Sequence, residues 1–144
     1  MFSFGKTEEE KARLVAMEEN FAIISFKPDG TIINANDNFL NALGYRLNEV
    51  VGNHHRMFCD KIYTNSKEYI DFWKDLASGK SQIDEFERFK KDGSSLWIQA
   101  SYTPVKDRNG KVIRVVKFAQ DITSSKKVIE HAKKAIDLAK TGIF

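Results

Sequence analysis

The chain has 144 residues, 42% of them hydrophobic, which is enough to build one domain around a core without a metal or a disulfide. Its 23 basic and 20 acidic residues give a formal net charge of +3 and are interspersed, which argues against a nucleic-acid-binding surface. Cys59 is the single cysteine, so no internal disulfide can form, and the cytoplasm is the expected location.

The sequence has no apolar run that approaches the roughly 18 residues of a membrane-spanning helix. The N-terminal segment MFSFGKTEEEK has acidic residues where a signal peptide needs an apolar core. We therefore expect no direct membrane span in this segment. Because the sequence ends on the apolar residues Ile143 and Phe144, we expect a downstream signalling domain in a longer chain.

The first predicted element is an N-terminal helix over about residues 8–18. Thr7 and Glu10 have the spacing of a capping box, in which each side chain accepts a hydrogen bond from the backbone of the other. The apolar residues of this helix lie on one side. They predict contact either with the protein's own sheet or with a second copy of the chain.

A β-hairpin is predicted next. Residues 21–26 form an apolar strand, residues 27–30 (KPDG) have the composition of a tight turn, and residues 31–35 form the second strand. Asn36 is the expected N-cap of a short helix that ends at Gly44. A strand that turns directly into a helix here places polar side chains at the mouth of a cavity.

The middle of the chain predicts a further helix, which begins at Ser66 and ends at Gly79. Its apolar stripe consists of Tyr69, Phe72, Trp73 and Leu76. Three antiparallel strands should follow, joined by polar, glycine-containing connections. Their predicted ranges are 83–90, 96–105 and 111–121.

The last two of these strands have apolar side chains at alternating positions. In the middle strand one face has Leu96, Ile98, Ala100 and Tyr102. In the last strand one face has Val112, Val116 and Phe118 with Arg114, and the other has Ile113, Val115 and Ala119. We therefore expect helices around a cavity on one side of the sheet, and a flanking helix or a partner subunit on the other.

An exit helix is predicted after residue 123. Its apolar residues at alternating steps of three and four are Ile129, Ala132, Ile136, Ala139 and Ile143. This spacing is typical either of a short coiled-coil seam of about two heptads or of an ordinary amphipathic helix.

The order of these elements resembles a PAS domain over residues 21–123. The resemblance is in the PDG turn, in NANDNFLNALGY and GNHH, and in the run from FERFKKDGSSLWIQASYTPVK to VVKFAQDIT. HHRMF, WIQASYTPV and VVKFAQDIT are most similar to PAS domains of cytoplasmic bacterial chemoreceptors and aerotaxis-type transducers. The resemblance implies an α+β fold with a five-stranded antiparallel sheet in the order 2-1-5-4-3 and small helices on one face. Residues 1–20 and 124–144 become the flanking helices.

The resemblance also implies a function. A PAS module of a chemotaxis-type receptor senses oxygen, redox poise or a small ligand through a cofactor and passes the state to its flanking helices, without catalysis. The alternative is a cofactor-free PAS module for dimerisation and signal relay. In either case a homodimer through the flanking helices is expected. Asn34 and Asn36 are expected at the mouth of the cavity, and Phe39 on its inner wall.

FAD is the first cofactor candidate. FAD-binding aerotaxis receptors are similar to this chain at His55 and Trp73, and the chain departs from their pattern at Gln82 and Arg88. Light-sensing PAS domains have a reactive cysteine where this chain has His55, so the resemblance implies no flavin–cysteine adduct.

Heme is the competing cofactor. Oxygen-sensing PAS domains usually bind iron through a histidine on the helix before strand three, and residues 66–78 contain none. His55 is then the candidate iron ligand, with His54 as the alternative and a carboxylate such as Asp60 to orient the ring. The competing interpretation is that these histidines bond backbone carbonyls and that the pocket is empty or holds a metabolite.

Phe86 and Arg88 share one face of their predicted strand. If that face is the pocket, Arg88 needs an anion there: a phosphate, a heme propionate, a bound carboxylate or Asp84. Otherwise Arg88 lies on a solvated face. Trp73 is either part of the core or a wall of the cofactor site. The sequence has no nucleophile–base pair, metal-ligand spacing or phosphate loop, so no catalytic residue is predicted.

Overall fold

The computed structural model of the chain describes residues 7–141. The predicted seam residue Ile143 and the terminal Phe144 lie outside the described residues. Between residues 7 and 141, no helix combines the length and the apolar character needed to cross a membrane.

Five strands form one antiparallel sheet in the order β2-β1-β5-β4-β3. They are β1 (Ala22–Phe26), β2 (Ile32–Ala35), β3 (Gln82–Phe89), β4 (Ser95–Lys106) and β5 (Val112–Asp121). The predicted α+β fold class and the strand order 2-1-5-4-3 are therefore confirmed.

Helices precede, cover and follow the sheet. They are α1 (Glu8–Asn20), α2 (Asp37–Leu43), α3 (Leu47–Val50), α4 (Lys61–Thr64), α5 (Lys67–Ala77) and α6 (Thr123–Lys140). A 3-10 helix (His55–Phe58) lies between α3 and α4. The apolar residues of α2, α5 and the 3-10 helix pack with the inner face of the sheet in one core.

Local capping explains where the first helices begin. Thr7 Oγ1 accepts a hydrogen bond from the Glu10 amide at 3.1 Å, and the Glu10 carboxylate accepts one from the Thr7 amide at 3.0 Å, as predicted for a capping box. Asn36 Oδ1 accepts from the Phe39 amide at 3.0 Å and so caps α2. Gly44 ends α2 with φ of 81°, a left-handed conformation that favours glycine.

The inner face of the sheet contains the predicted residues of β4, all of which are buried. The parity prediction was wrong at the start of β5: Val112 is buried on the same side as Val115, and Ile113, predicted on that side, is exposed. The pairing register shifts between Val105 and Lys106, and this irregularity moves Val112 onto the inner face.

The outer face of the sheet holds the first turn of α6. The Trp97 amide donates to Thr123 Oγ1 at 3.0 Å, and the Ile122 amide donates to the Trp97 carbonyl at 2.8 Å. Lys126 Nζ lies 4.7 Å from the centroid of the Trp97 ring and forms an ion pair with Glu85. Beyond this turn α6 has no buried residue, so it is attached to the domain only at its start.

Candidate functional site

The 3-10 helix is held in place by the first hairpin. The His55 amide donates to the Gly30 carbonyl at 3.0 Å. Gly30 has φ of 95°, and a Cβ at this position would lie 2.5 Å from His54 Nε2, so only glycine fits. His54 Nε2 donates to the Asp29 carbonyl at 2.7 Å, and its Nδ1 accepts from the Arg56 amide at 3.1 Å. Both ring nitrogens of His54 are thus used to close the turn.

His55 is fully buried, and both of its ring nitrogens have partners. Nδ1 lies 2.8 Å from the Tyr69 hydroxyl, and Nε2 lies 2.9 Å from the Tyr102 hydroxyl. Arg88 Nη2 donates to the Tyr102 oxygen at 3.3 Å. Every group is satisfied if Tyr102 donates to Nε2 and Nδ1 donates to Tyr69. This defines a directed hydrogen-bond chain from Arg88 through Tyr102 and His55 to Tyr69.

The surroundings of this hydrogen-bond chain keep His55, Tyr102 and the neighbouring Cys59 uncharged. Burial, followed by the nearby cations Arg88 and Lys117, holds the pKa of His55 well below its usual value. Burial also raises the pKa of Tyr102 to about 12, although Arg88 acts in the opposite direction. Burial raises the pKa of the Cys59 thiol, whose sulfur lies 3.6 Å from His55 Nδ1.

Arg88 is buried and has no acidic partner among the described residues. It is 3% exposed, and its guanidinium carbon lies 4.7 Å from the centroid of the Phe86 ring. Nη1 donates to the Glu87 carbonyl at 2.8 Å, while Nε is buried without a hydrogen-bond partner in the described part of the chain. Asp84, the predicted internal counter-ion, is exposed and accepts from the Glu85 amide at 2.8 Å. Within residues 7–141 no carboxylate forms an ion pair with Arg88.

Lys117 is a second buried basic residue, and the sequence interpretation missed it. Burial and then the nearby Arg88 hold the pKa of Lys117 well below its usual value. It is 1% exposed, and its Nζ lies 5.0 Å from the centroid of the Tyr102 ring and 5.5 Å from that of Phe39. No ion pair or side-chain hydrogen bond is found for it within the part of the chain that the structure describes. The available signal was parity, since Lys117 lies between Val115 and Ala119 on the inner face of β5.

A small cavity lies beside these two basic residues. Its volume is about 20 Å³, room for one water molecule. Arg88 and Lys117 line it together with Phe39 and other apolar side chains of α2 and the sheet. It extends to Asp121, the last residue of β5.

The predicted site residues fall into two groups: some line the cavity, and others lie in the core around it. Phe39 and Arg88 line the cavity. His55 and Phe86 contact the surrounding aromatic groups, and Phe86 lies 5.5 Å from Tyr102 between ring centroids. Trp73 is a core residue whose ring centroid lies 5.3 Å from that of His55, and its Nε1 is buried without a hydrogen-bond partner between residues 7 and 141.

Two predicted mouth residues lie elsewhere, and this corrects the prediction. Asn34 is exposed on β2, because the neighbouring Ala35 points inward and adjacent strand residues face opposite sides. Asn36 is engaged in backbone bonds to Phe39, Ile23 and Phe21, which leave it capping α2 instead of lining the cavity.

The residues present do not fit heme or a flavin in this arrangement. An iron ligand needs a free ring nitrogen, whereas those of His54 and His55 have partners, and Asp60 accepts from the Ile62 amide at 3.3 Å. Cofactor sites typically enclose roughly 300–1,000 Å³. A cavity of about 20 Å³ is far smaller, so FAD stays a prediction that requires the interior to open.

Comparisons with known proteins show to which family this chain belongs. A family model described as PAS domain matches residues 20–124. The chain is 41% identical over 109 residues to the biofilm dispersion protein BdlA of Pseudomonas aeruginosa, which covers 76% of this chain and 26% of that protein. It is 29% identical over 118 residues to phototropin-2 of Oryza sativa, covering 81% of this chain and 13% of the relative. The chain thus spans about a quarter or less of the length of these relatives.

Solved structures share the fold. The PAS domain of a protein from Colwellia psychrerythraea matches with a TM-score of 0.66 at 23% identity, covering 79% of this chain and 97% of that one. A light-oxygen-voltage domain studied with a flavin analogue matches with a TM-score of 0.66 at 21% identity, covering 90% and 97%. With the family model matching most of the sequence, the chain belongs to the PAS domain family.

Proposed function

We propose that this chain is a signal-transducing PAS sensor module, of the kind found in chemotaxis-type receptors, that acts without catalysis. A change inside its cavity is passed to α6. The observation that carries the proposal is the position of Asp121. This residue lines the cavity, and its Oδ1 accepts from the Thr123 amide at 2.9 Å in the first turn of α6.

The way α6 is attached supports the same proposal. Thr123 and Lys126 hold the first turn to Trp97 and Glu85, and α6 has no buried residue beyond it. A helix attached only at one end can change direction without disrupting the core. A small displacement of Asp121 can therefore change the direction of α6.

Two versions of the input remain as proposals. The relatives include proteins named as phototropins and a light-oxygen-voltage domain, and this favours FAD and sensing of redox poise or oxygen. The cavity of about 20 Å³ favours direct binding of a small ligand without a flavin or heme. We place direct ligand binding first, because it needs the least rearrangement of the interior. A cofactor-free module for dimerisation and relay is the second candidate function.

The absorption spectrum of the purified chain separates these versions. We expect neither the visible bands of a flavin nor the Soret band of heme, including after incubation with FAD and hemin. A flavin spectrum with one equivalent of bound FAD would contradict direct ligand binding and restore the redox version. A Soret band that His55→Ala abolishes would restore the heme version.

The relay itself is tested by changing the cavity. Ala119→Val adds two carbon atoms to a buried position of β5 that lines the cavity, and it suits a strand. Thr103→Val on the exposed side of β4 is the matched control. Hydrogen–deuterium exchange of residues 123–127 should change several-fold in Ala119→Val and stay unchanged in the control. If Ala119→Val lowers the melting temperature yet leaves this exchange unchanged, the relay is wrong.

A further inference from the structure

We propose that Arg88 and Lys117 form a binding site for one small monovalent anion in the cavity, either a carboxylate of the size of formate or acetate or a halide ion. The inference rests on the proposed function, because it names the ligand class of the same cavity. It depends on two buried basic side chains, one unpartnered donor and the absence of an internal counter-ion among the described residues.

The first step concerns charge. Arg88 and Lys117 are 3% and 1% exposed and line one cavity whose other walls are mostly apolar. A buried charge without a counter-charge is strongly unfavourable. Lys117 can avoid this cost by losing its proton, but a guanidinium remains charged in proteins. The described side chains therefore leave at least one uncompensated positive charge at the cavity.

The second step concerns hydrogen bonding. The two acceptors that Arg88 contacts are neutral: the Glu87 carbonyl and the Tyr102 hydroxyl. Its Nε–H is buried without an acceptor among the described residues. A buried donor without a partner is rare in folded proteins, and a bound ion or water is one of its recognised explanations. An anion in the cavity supplies an acceptor for Arg88 and a counter-charge for Lys117 together.

The third step excludes the nearby acidic groups as that anion. Asp121 is the carboxylate among the residues that line the cavity, and it is exposed and already accepts from the Thr123 amide. Tyr102 and Cys59 stay protonated, because burial raises the pKa of both. Asp60, Asp84, Glu85 and Glu87 lie with Arg88 around a separate, more open pocket. Within residues 7–141 no carboxylate forms an ion pair with Arg88 or Lys117.

The size of the cavity limits the ligand. About 20 Å³ holds one water molecule, so a ligand of one to four non-hydrogen atoms needs only small side-chain shifts. An anion bound there shares the cavity with the Asp121 carboxylate. Repulsion between the two negative charges gives a physical reason for ligand binding to loosen the first turn of α6.

Thermal unfolding of the 144-residue chain tests the site. The chain is titrated with sodium formate, acetate or chloride, and sodium gluconate keeps the ionic strength constant because its anion is too large for the cavity. For so few ligand atoms we expect half-saturation on the order of millimolar. At ten times that concentration the melting temperature should rise by about 4 °C. The three salts distinguish a carboxylate from a halide ligand.

Substitutions identify the residues. Lys117→Met is expected to raise the melting temperature without anion, because a buried amine with no partner among the described residues is replaced by an apolar side chain. It should also raise the half-saturating concentration at least tenfold. Arg88→Lys keeps the charge but removes the Nε–H donor, and it should weaken binding about tenfold. Lys111→Met, an exposed lysine next to β5, removes the same charge and should leave the response unchanged.

The outcomes are distinguishable. A wild-type chain whose melting temperature does not respond to any of the three anions would overturn the site. An equal response in Lys117→Met would also overturn it, since the effect would then come from the surface. Neither result bears on the relay, which is tested separately by hydrogen–deuterium exchange in α6 of the Ala119→Val variant. If the anion binds but leaves hydrogen–deuterium exchange in α6 unchanged, the sensor function would be refuted and the anion site would stand.

Discussion

His55 has the environment of a neutral structural hub. Its ring joins two tyrosines from different elements, Tyr69 on α5 and Tyr102 on β4. It also packs at 5.5 Å from Phe26 and 5.3 Å from Trp73 between ring centroids. A residue with all its polar atoms satisfied and no exposed surface is best explained as a specifier of the core geometry.

Removing this hub should be costly. His55→Ala leaves two buried hydroxyls with poorer partners and creates a cavity, so we expect a loss of about 3 kcal/mol in unfolding free energy. Urea denaturation followed by circular dichroism measures it. His131→Ala, which changes an exposed histidine on α6, is the control and should alter stability by less than about 0.5 kcal/mol. A loss below about 1 kcal/mol for His55→Ala would contradict the hub role.

The lowered pKa of His55 predicts how stability depends on pH. Below the unfolded value of 6.5 the unfolded chain takes up a proton that the folded chain excludes, so unfolding free energy falls as pH falls. The slope should steepen by up to about 1.4 kcal/mol per pH unit below this value, and His54, whose pKa is also lowered, adds to it. Urea midpoints between about pH 7.5 and 5.5 measure the slope. A His55 ring signal that titrates at or above pH 6.5 in NMR would contradict it.

Among elements, Asn36 joins α2 to β1 and to the residue that precedes β1. Asn36 accepts from the amides of Phe39 and Ile23 and donates to the carbonyl of Phe21 at 2.8 Å. The N-cap role was predictable because it is local. The bonds to residues 13 and 15 positions away were not, since they exist only once β1 lies beside β2.

Asn36→Ala should therefore cost more than an ordinary cap. We expect a loss of about 2–3 kcal/mol, because the cap bond and the two bonds to β1 and its entry are lost together. Asn38→Ala is the matched control, since Asn38 is exposed and donates to carbonyls at the end of α1. It should cost less than about 1 kcal/mol in the same urea experiment. Equal losses in the two variants would show that Asn36 acts only as an exposed polar residue.

For the whole molecule, the flanking helices are the surface most open to a partner. Ile129 and Ile136 on α6 are 63% and 55% exposed, and α1 has no buried residue. Both residues belong to the predicted seam, whose spacing is typical of a coiled coil. A homodimer through the flanking helices stays our prediction.

Light scattering coupled to size-exclusion chromatography tests it. The chain should elute as a dimer, and Ile129→Lys with Ile136→Lys should convert it to a monomer, because two charges in the seam cannot be buried. Val128→Lys with Leu138→Lys is the control, since these apolar residues lie on α6 outside the seam. A monomeric wild-type chain, or dissociation by the control pair alone, would refute a seam through Ile129 and Ile136.

The sequence by itself determined the elements and their order. Local interactions act over a few positions along the chain, so they can be predicted from the sequence. Examples are caps such as Thr7 and Asn36, turn glycines and alternating strand residues. The family resemblance then implied how the strands are arranged.

Only the tertiary structure decided the content of the interior. The contact of His55 with Tyr102 joins residues 47 positions apart, and no local pattern encodes it. The burial of Lys117 without a counter-charge and the cavity of about 20 Å³ likewise depend on how α2, β3 and β5 pack together. Side chains from distant elements fix both the charge and the volume of the site. The class of ligand can therefore be inferred only from the packed structure, in which those elements are in contact.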